Sequence, residues 1–368
     1  MSRIESIQGY RAFLFMNIFL FHILGLVGVR ENFMNGFFMG SGRFGVTGFM
    51  LLTGALSTYI KKNTLSNSIS NNIKNKIRLF FKKYYLWHIV FTMLALPFSI
   101  WALHLNQKTL TRFLLELFSS ITLTQSMIPI ENLATSLNDV AWYLSTYVFL
   151  LPIIVLVASR INNRSKKGNG KLVLLMLITI YGIYILFAAL IAAVNTGDFI
   201  KCWLLYYFFG IRAFEILIGA LMGRLLSNQN LRFGPSVFLV SVLLYIGVQC
   251  FFGTIPAWLS YSLAYIPVNC LLVSTCFNGS TFMRALWSNR MLTYVGNRSM
   301  YYYLCHVVLG KYMLRILDKM GFLKFLNNNL QNILSVVICF TATLIVGEIM
   351  IKVTEYYNHK LNSKRQSE

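Results

Sequence analysis

The chain has 368 residues, of which 57% are hydrophobic and only 12% are charged. Its formal net charge of +22 comes from basic residues at the ends of apolar runs, not along one soluble face, so nucleic acid is not an expected partner. The long apolar runs exclude a soluble globular protein and predict an all-α integral membrane protein, with membrane lipid as the surroundings of its apolar faces.

The first apolar segment, residues 11–29, carries two cations, Arg11 and His22. No small-residue cleavage site follows it, so we expect a retained helix and not a signal peptide. An α-helix turns about 100° and rises about 1.5 Å per residue, which places both side chains on one face to within roughly 20°, about 16 Å apart along the axis. Ionisable groups in a membrane segment are costly and usually line a polar cavity. The bland alternative is a neutral His22 bonded to a backbone carbonyl and an Arg11 that reaches lipid headgroups.

Basic loops determine which of the following apolar segments cross the membrane. The segments lie near 37–60, 79–103, 112–128, 140–159, 172–194, 203–226, 235–252, 257–277, 292–316 and 330–352. Lys and Arg in short loops mark the cytoplasmic side, and the densest basic loops are 61–83 and 160–171. Both are cytoplasmic only if 112–128 does not span and belongs to an outer loop. The prediction is about ten transmembrane helices with both termini cytoplasmic: a membrane domain over 1–353 and a short basic tail over 354–368.

Three polar residues in the later segments are weaker candidates for a cavity lining. Arg212 and Glu215 are three residues apart and share a helix face. They either neutralise each other, which makes insertion tolerable, or one of them faces the cavity and binds donor or acceptor. His306 follows three tyrosines, and a structural hydrogen bond to a tyrosine hydroxyl is favoured over a second catalytic role.

Three further side chains have both a membrane-related and a functional interpretation. Arg43 falls at the outer end of the second helix, where it meets an anionic acceptor or a lipid headgroup. Arg78 belongs to a basic cluster at the inner surface, which either marks topology or helps to hold donor phosphates. Trp142 fits a membrane-interface belt, although a tryptophan also stacks on sugar rings. The six cysteines show no metal-like spacing, so we predict no metal site and no permanently bound cofactor.

Six short patterns occur in order along the chain. They are the R-x10-H spacing of Arg11 and His22, then RFGVTGFMLLTGALS (43–57), KNKIRLFFKKYY (74–85), AWYLSTYVFLLP (141–152), GIRAFEILIGALMG (210–223) and LTYVGNRSMYYYLCHVVL (292–309). In this order they resemble the membrane-bound acyltransferase 3 family, the bacterial O-acyltransferases of envelope glycans, over about residues 3–352. The second pattern departs from the family by carrying Thr47 where an Asp often sits and Thr53 for a Ser, and the third lacks the usual Pro.

The resemblance implies a multi-pass enzyme of the bacterial inner membrane that moves an acyl group, in the first instance acetyl, from cytoplasmic acyl-CoA to a glycan hydroxyl. The acceptor would be a cell-surface polysaccharide or its lipid-linked precursor, and Arg11 and His22 would be the essential residues. Histidine suits the base because its pKa lies near neutrality. Arginine suits phosphate because its planar fork is permanently charged. The alternative function is a transporter or flippase for a glycan or an acyl-modified substrate, which has no need of a thioester.

Overall fold

The structure, a computed structural model, describes residues 5–28, 37–59, 69–105, 107–164, 170–227, 231–321 and 326–367. Within these ranges the chain is helical and forms no β-strand, apart from one isolated bridge. The helices are α1 (Glu5–Val27), α2 (Ser41–Tyr59), α3 (Ile69–His104), α4 (Leu110–Ile121), α5 (Trp142–Arg164), α6 (Gly170–Ala193), α7 (Asp198–Cys202), α8 (Phe209–Leu226), α9 (Pro235–Cys250), α10 (Ala257–Ser260), α11 (Ile266–Asn278), α12 (Thr281–Trp287), α13 (Arg290–Met320) and α14 (Asn328–Ser367).

Several of these helices have the length and composition of membrane spans, which confirms an all-α, multi-pass membrane protein. Six candidate spans are present in the described ranges: α1, α3, α5, α6, the unit formed by α7 and α8, and α14. Helix α9 and the stretch Leu263–Asn278 are apolar but shorter. Helix α4 has 12 residues, about 18 Å, well below the roughly 30 Å of a hydrocarbon core. The count of ten crossings and the cytoplasmic position of both termini stay predictions.

Helix α1 is the central element, and it packs against α2 on one side and α13 on the other. Glycines permit the close approach of backbones. A β-carbon at Gly296 of α13 would lie 1.7 Å from the carbonyl oxygen of Gln8, and one at Gly219 of α8 would lie 2.1 Å from that of Leu51 in α2. Helices in lipid have no hydrophobic driving force for association, so close packing at small residues stabilises such crossings instead. The packing fixes the register of the three helices that carry most of the polar candidates.

Two helices contain a π turn, and both turns supply side chains to the site described below. Helix α3 contains one over Phe81–Tyr85, and α7 continues into another over Trp203–Tyr207. A π turn widens the helix by one residue and turns side chains that a regular α-helix would direct elsewhere. Single π turns of this kind are frequent at functional sites.

The segment 122–141, between α4 and α5, is irregular yet largely buried, and we call it the buried loop. Three of its residues, Leu123, Asn132 and Leu137, have φ of 54°, 58° and 56°, and they are the positive-φ residues other than glycine in the described chain. A leucine rarely adopts this conformation, so tertiary contacts must hold it there. Irregular backbone at membrane depth is tolerated only where protein or a cavity surrounds it.

Candidate functional site

Two histidines from opposite ends of the chain meet at the centre of the molecule. The rings of His22 in α1 and His306 in α13 have centroids 5.3 Å apart at an angle of 62°. His306 is fully buried, whereas His22 is half-buried. Phe15 and Phe19 of α1 each lie 6.0 Å from the His306 ring and close the apolar side of the pair. The pair therefore has one shielded ring and one ring that a substrate can reach.

The hydrogen bonding of His306 determines its tautomer when the ring is neutral. Its Nδ1 lies 2.8 Å from the carbonyl oxygen of Tyr303. Because a carbonyl only accepts, Nδ1 carries the proton and donates, and Nε2 keeps its lone pair. That Nε2 is buried and has no hydrogen-bond partner. His306 therefore combines the structural bond expected of it with an unused acceptor beside His22, although the bond goes to a backbone carbonyl and not to a tyrosine hydroxyl.

An ion pair between α13 and the buried loop lies next to the histidines. Lys311 donates to both carboxylate oxygens of Asp139 at 2.9 Å, and the Lys311 charge also acts on His22. The loop is further tied to α13 because Asn138 donates to the carbonyl of Leu304 at 3.1 Å. These bonds hold the irregular segment against the helix that carries His306.

Arg11 lies at the other end of the same helix face, in an aromatic mouth. It is half-buried, and its guanidinium reaches Gln8 Oε1 at 3.4 Å. Its positive charge interacts electrostatically with the hydroxyls of Tyr143 and Tyr147 in α5. The rings of these two tyrosines stack with their centroids 6.1 Å apart. Among the described residues, Arg11 has no carboxylate within 4 Å. The mouth thus presents a cation without a fixed counter-ion.

The basic cluster on α3 contains a second cation besides Arg78, namely Lys83. Arg78 is exposed, and no contact places it beside Arg11. Lys83, in the π turn of α3, lies over the rings of Tyr84 and Tyr301 at 5.2 and 5.8 Å. The hydroxyl of Tyr84 in turn interacts electrostatically with that of Tyr147 at the Arg11 mouth. Lys83 is therefore a second candidate cation on α3, and the role of Arg78 as a phosphate ligand stays a prediction.

Arg212 and Glu215 form a fully buried ion pair at 2.5 Å. Arg212 also donates from Nε to the carbonyl of Tyr206 at 2.7 Å, and Glu215 accepts from Ser262 at 2.5 Å. This arrangement agrees with mutual neutralisation, the first of the two interpretations. One atom of each side chain, Arg212 Nη2 and Glu215 Oε2, is left buried without a partner.

A second cluster, which we call the arginine chamber, consists of half-buried Arg43, Tyr206, Phe252 and Tyr261. The Arg43 guanidinium lies 4.5 Å from the centroid of the Tyr261 ring, 5.2 Å from that of Phe252 and 5.9 Å from that of Tyr206. Its Nη1 donates to Ser260 Oγ at 2.6 Å. Arg43 therefore faces an aromatic interior of the protein and is not simply at a headgroup position.

Trp142 belongs to the wall of this chamber and not to a lipid-facing belt. Its side chain is almost completely buried, and its ring lies 4.9 Å from that of Tyr206 and 5.0 Å from that of Tyr207. Arg212 reaches the same wall, with its guanidinium 4.5 Å from the Tyr206 ring centroid. The interface-belt interpretation of Trp142 is therefore wrong, because the protein buries this side chain against Tyr206 and Tyr207.

Sequence reasoning missed Lys311, Asp139 and Tyr206. The signal for Asp139 was its rarity, since the chain has 11 acidic residues against 33 basic ones and this one stands three positions before Trp142. Lys311 and Tyr206 carried no comparable signal, because one resembles a helix-end cation and the other depends on a π turn. In the described part of the chain, no group of three His, Cys, Asp or Glu residues could hold a metal ion.

Comparison with known proteins gives one match. Residues 4–351 match the model of a family described as an acyltransferase domain, which covers nearly the whole chain. No curated protein and no solved structure matches significantly. The matched range runs from the first turn of α1 to the middle of α14, and it includes both histidines, the Arg11 mouth and the arginine chamber.

Proposed function

Because the chain belongs to the acyltransferase 3 family, we propose that it transfers an acyl group, in the first instance acetyl, from cytoplasmic acyl-CoA to a hydroxyl of a bacterial envelope glycan or its lipid-linked precursor. Membership supports acyl transfer by a multi-pass membrane protein. The donor, the acceptor and the inner-membrane location are the parts that we propose.

One observation supports the proposal most directly: a half-buried histidine shares a helix face with an unpaired arginine. His22 and Arg11 are about 16 Å apart along α1, a distance that the extended arm of a thioester donor bridges. Donor phosphates held at Arg11 would then bring the thioester carbonyl to His22. Both ends lie inside the protein, where restricted water slows hydrolysis of the thioester.

In the proposed reaction His22 is the general base. It takes the proton of the acceptor hydroxyl while that oxygen attacks the thioester carbonyl, the new ester C–O bond forms, and the C–S bond breaks. The leaving thiolate takes the proton back from His22 and departs as the free thiol. The His306 ring lies 5.3 Å from that of His22, centroid to centroid, and its unpartnered Nε2 would accept a hydrogen bond from the other nitrogen of His22, stabilising the imidazolium form that this step creates.

At the donor end, Arg11 and Lys83 would bind the phosphates. The guanidinium offers a bidentate fork and the ammonium a point charge, which suit a ligand with several phosphate oxygens. The Arg11 mouth also contains Tyr84, Tyr143 and Tyr147, whose hydroxyls add neutral donors. Acyl-CoA would dissociate after each turnover, so no resident cofactor is proposed.

The test is acyl transfer by cells and by purified protein that carry His22→Gln, with His104→Gln as the matched control. His104 is an exposed histidine at the end of α3. We expect His22→Gln to lower acylation of the glycan by about 10²–10⁴-fold at equal protein level, since that is the usual contribution of general acid–base catalysis. His104→Gln should leave it unchanged.

Mass spectrometry of surface glycans separates this function from transport. An acyltransferase adds an acyl mass that disappears with His22→Gln while the amount of exported glycan stays the same. A transporter would instead show unchanged glycan modification and altered export. Near-normal acylation by His22→Gln would refute the catalytic assignment.

A further inference from the structure

The arginine chamber holds a cation that the protein does not neutralise. Among the described residues, Arg43 has no carboxylate within 4 Å, in contrast to the other arginine of this region, Arg212, which is paired with Glu215. The acidic residue that borders the chamber is Asp198. It is exposed, interacts electrostatically with Tyr261 and forms no ion pair with Arg43. The chamber therefore has an excess positive charge inside an apolar surrounding, where an anion interacts more strongly than in water.

Two helix N-termini add to that positive potential. Helices α2 and α8 run parallel, because Leu51 packs on Gly219 and Ala55, one turn later, packs on Gly223. Arg43 lies in the first turn of α2, and Arg212 lies in the first turn of α8. Both helices therefore begin beside the chamber. The amide ends of helices favour anions.

A buried hydroxyl without a partner points to a missing ligand. Tyr265 Oη is shielded from solvent and forms no hydrogen bond, and the charge of Arg43 acts on it. A buried hydroxyl left unpaired costs free energy, so it is expected to pair with something when the site is filled. A β-carbon at Gly40 would lie 2.2 Å from this oxygen, 2.5 Å from Gln249 Oε1 and 2.8 Å from Phe252, so only a glycine lets the backbone approach these side chains so closely.

Aromatic rings connect the chamber with the histidine pair. His306 lies 5.7 Å from Tyr303, which lies 5.5 Å from Tyr143, and Tyr143 is 6.2 Å from Trp142. Trp142 contacts Tyr206 of the chamber at 4.9 Å. The flat faces and hydroxyls of such rings suit a sugar, which has apolar C–H faces and polar edges.

We propose that the arginine chamber is the acceptor subsite and that the acceptor is an anionic saccharide. Its charged oxygens bind Arg43, its ring lies against Tyr206, Phe252 and Tyr261, and its hydroxyls include a partner for Tyr265. This inference rests on the proposed function and names its acceptor class. Two sources supply such oxygens, namely the carboxylate of a uronic acid and the phosphate that links a glycan to its lipid carrier.

The experiment measures binding of saccharide probes to the purified protein in lipid nanodiscs, without any acyl donor. The probes are a glucuronate-containing disaccharide, glucose 1-phosphate, and a neutral disaccharide of the same size as the first. We expect an anionic probe to bind at least about tenfold more tightly than the neutral one, because a hydrogen bond to a charged group contributes about that much to affinity. Preference for the glucuronate probe assigns a uronic acid, and preference for glucose 1-phosphate assigns a phosphate.

The key variant is Arg43→Gln, and the matched control is Arg315→Gln. Arg315 also lies over aromatic rings, 4.3 Å from Phe98 and 5.6 Å from Trp101, but it is exposed and remote from the chamber. Arg43→Gln should lose the anionic preference, Arg43→Lys should keep part of it, and Arg315→Gln should retain all of it. Equal binding of neutral and anionic probes by the unaltered protein would overturn the inference, as would an unchanged preference in Arg43→Gln.

Consumption of acetyl-CoA in the absence of acceptor distinguishes failure of this inference from failure of the proposed function. Slow hydrolysis of the donor depends on Arg11 and His22 and is measured on the unaltered protein and on Arg315→Gln, whereas Arg43→Gln should raise the KM for the acceptor. A protein that binds anionic saccharide through Arg43 but never consumes acetyl-CoA would refute the acyl transfer and leave the subsite intact.

Discussion

The bond from His306 Nδ1 to the Tyr303 carbonyl has a chemical consequence at its other nitrogen. It fixes Nε2 as an acceptor in the neutral ring, and nothing else in the structure uses that acceptor. The His22 ring lies edge-on to the His306 ring, at a centroid distance of 5.3 Å. Under the proposed function, a residue predicted to be structural would therefore orient the base.

Replacing His306 tests that positioning role. His306→Phe keeps the aromatic packing against Phe15 and Phe19 but removes the acceptor, so kcat should fall by about tenfold, the worth of one buried hydrogen bond. The KM for acyl-CoA should stay within a factor of two, because donor phosphates bind elsewhere. Steady-state kinetics checks both values. A purely structural histidine would lower the amount of folded protein and leave kcat per folded molecule unchanged.

Arg11 gives a second test at the level of single residues. Arg11→Lys keeps the charge but loses the bidentate fork, so acyl-CoA binding should weaken, and Arg11→Ala should weaken it more. Arg78→Ala is the comparison, since Arg78 is exposed and its effect should be small and removed by salt. Titration of purified protein with acetyl-CoA measures all three. Unchanged affinity in Arg11→Ala would remove Arg11 from the donor site.

Arg11 and His22 show how much of the candidate site the sequence could predict. The helix period places Arg11 and His22 on one face without any tertiary information, and both side chains are half-buried in the structure. The Lys311–Asp139 pair could not be predicted, because it depends on the path of an irregular loop. Tyr206 could not be predicted either, since a π turn shifts its direction by about 100° relative to a regular helix.

Among the elements, the crossing of α2 and α8 has little tolerance for larger side chains. The arginine chamber lies at the common N-terminal end of these helices, so their separation sets its width. Backbone contact at Gly54, Gly219 and Gly223 leaves no space for a side chain. The buried loop differs from this crossing, because its three residues with positive φ are held by tertiary contacts and not by their local conformational preference.

Enlarging a glycine at this crossing should separate the helices. Gly219→Val places a β-carbon 2.1 Å from the Leu51 carbonyl oxygen. Because this oxygen belongs to the backbone, the clash can be relieved only if the helices move apart. The free energy of unfolding should fall by about 2 kcal/mol or more, as overpacking of a tight contact does. Gly182→Val is the control, because no heavy atom lies within 4 Å of a β-carbon at that position. Thermal melting of the two variants in detergent gives the comparison, and equal melting temperatures would contradict the packing argument.

At the scale of the whole molecule, the open question is which ends of the helices face the cytoplasm. The basic loops predict that α4 and the buried loop lie on the outer side. The short length of α4 agrees with a segment that does not cross, and the sequence could predict this from charge alone. The sequence could not predict how deep the loop lies. Asn138 donates to the Leu304 carbonyl of α13 and the Val140 carbonyl accepts from the Tyr303 hydroxyl, which holds the loop at the level of His306.

Cysteine labelling of intact cells tests this topology. Cysteine at Thr109 or Glu131, both exposed, should react with an impermeant thiol reagent from outside. Cysteine at exposed Lys171 should react only after the membrane is opened. Cys250 is exposed and is replaced by serine beforehand. Labelling of only one of the two outer positions in intact cells would mean that the segment between them spans, and the count of ten would be wrong.

The separation of the histidines along the chain has a consequence for biosynthesis. His22 leaves the ribosome with the first helix, whereas His306 and Lys311 arrive only with α13, after nearly all the other helices have been made. Until then the first helix displays a base with no partner, no buried loop docked beside it and no closed wall around it. Under the proposed function, a nascent or truncated chain would therefore not consume cellular thioester, because His22 and His306 come together only once synthesis is nearly complete.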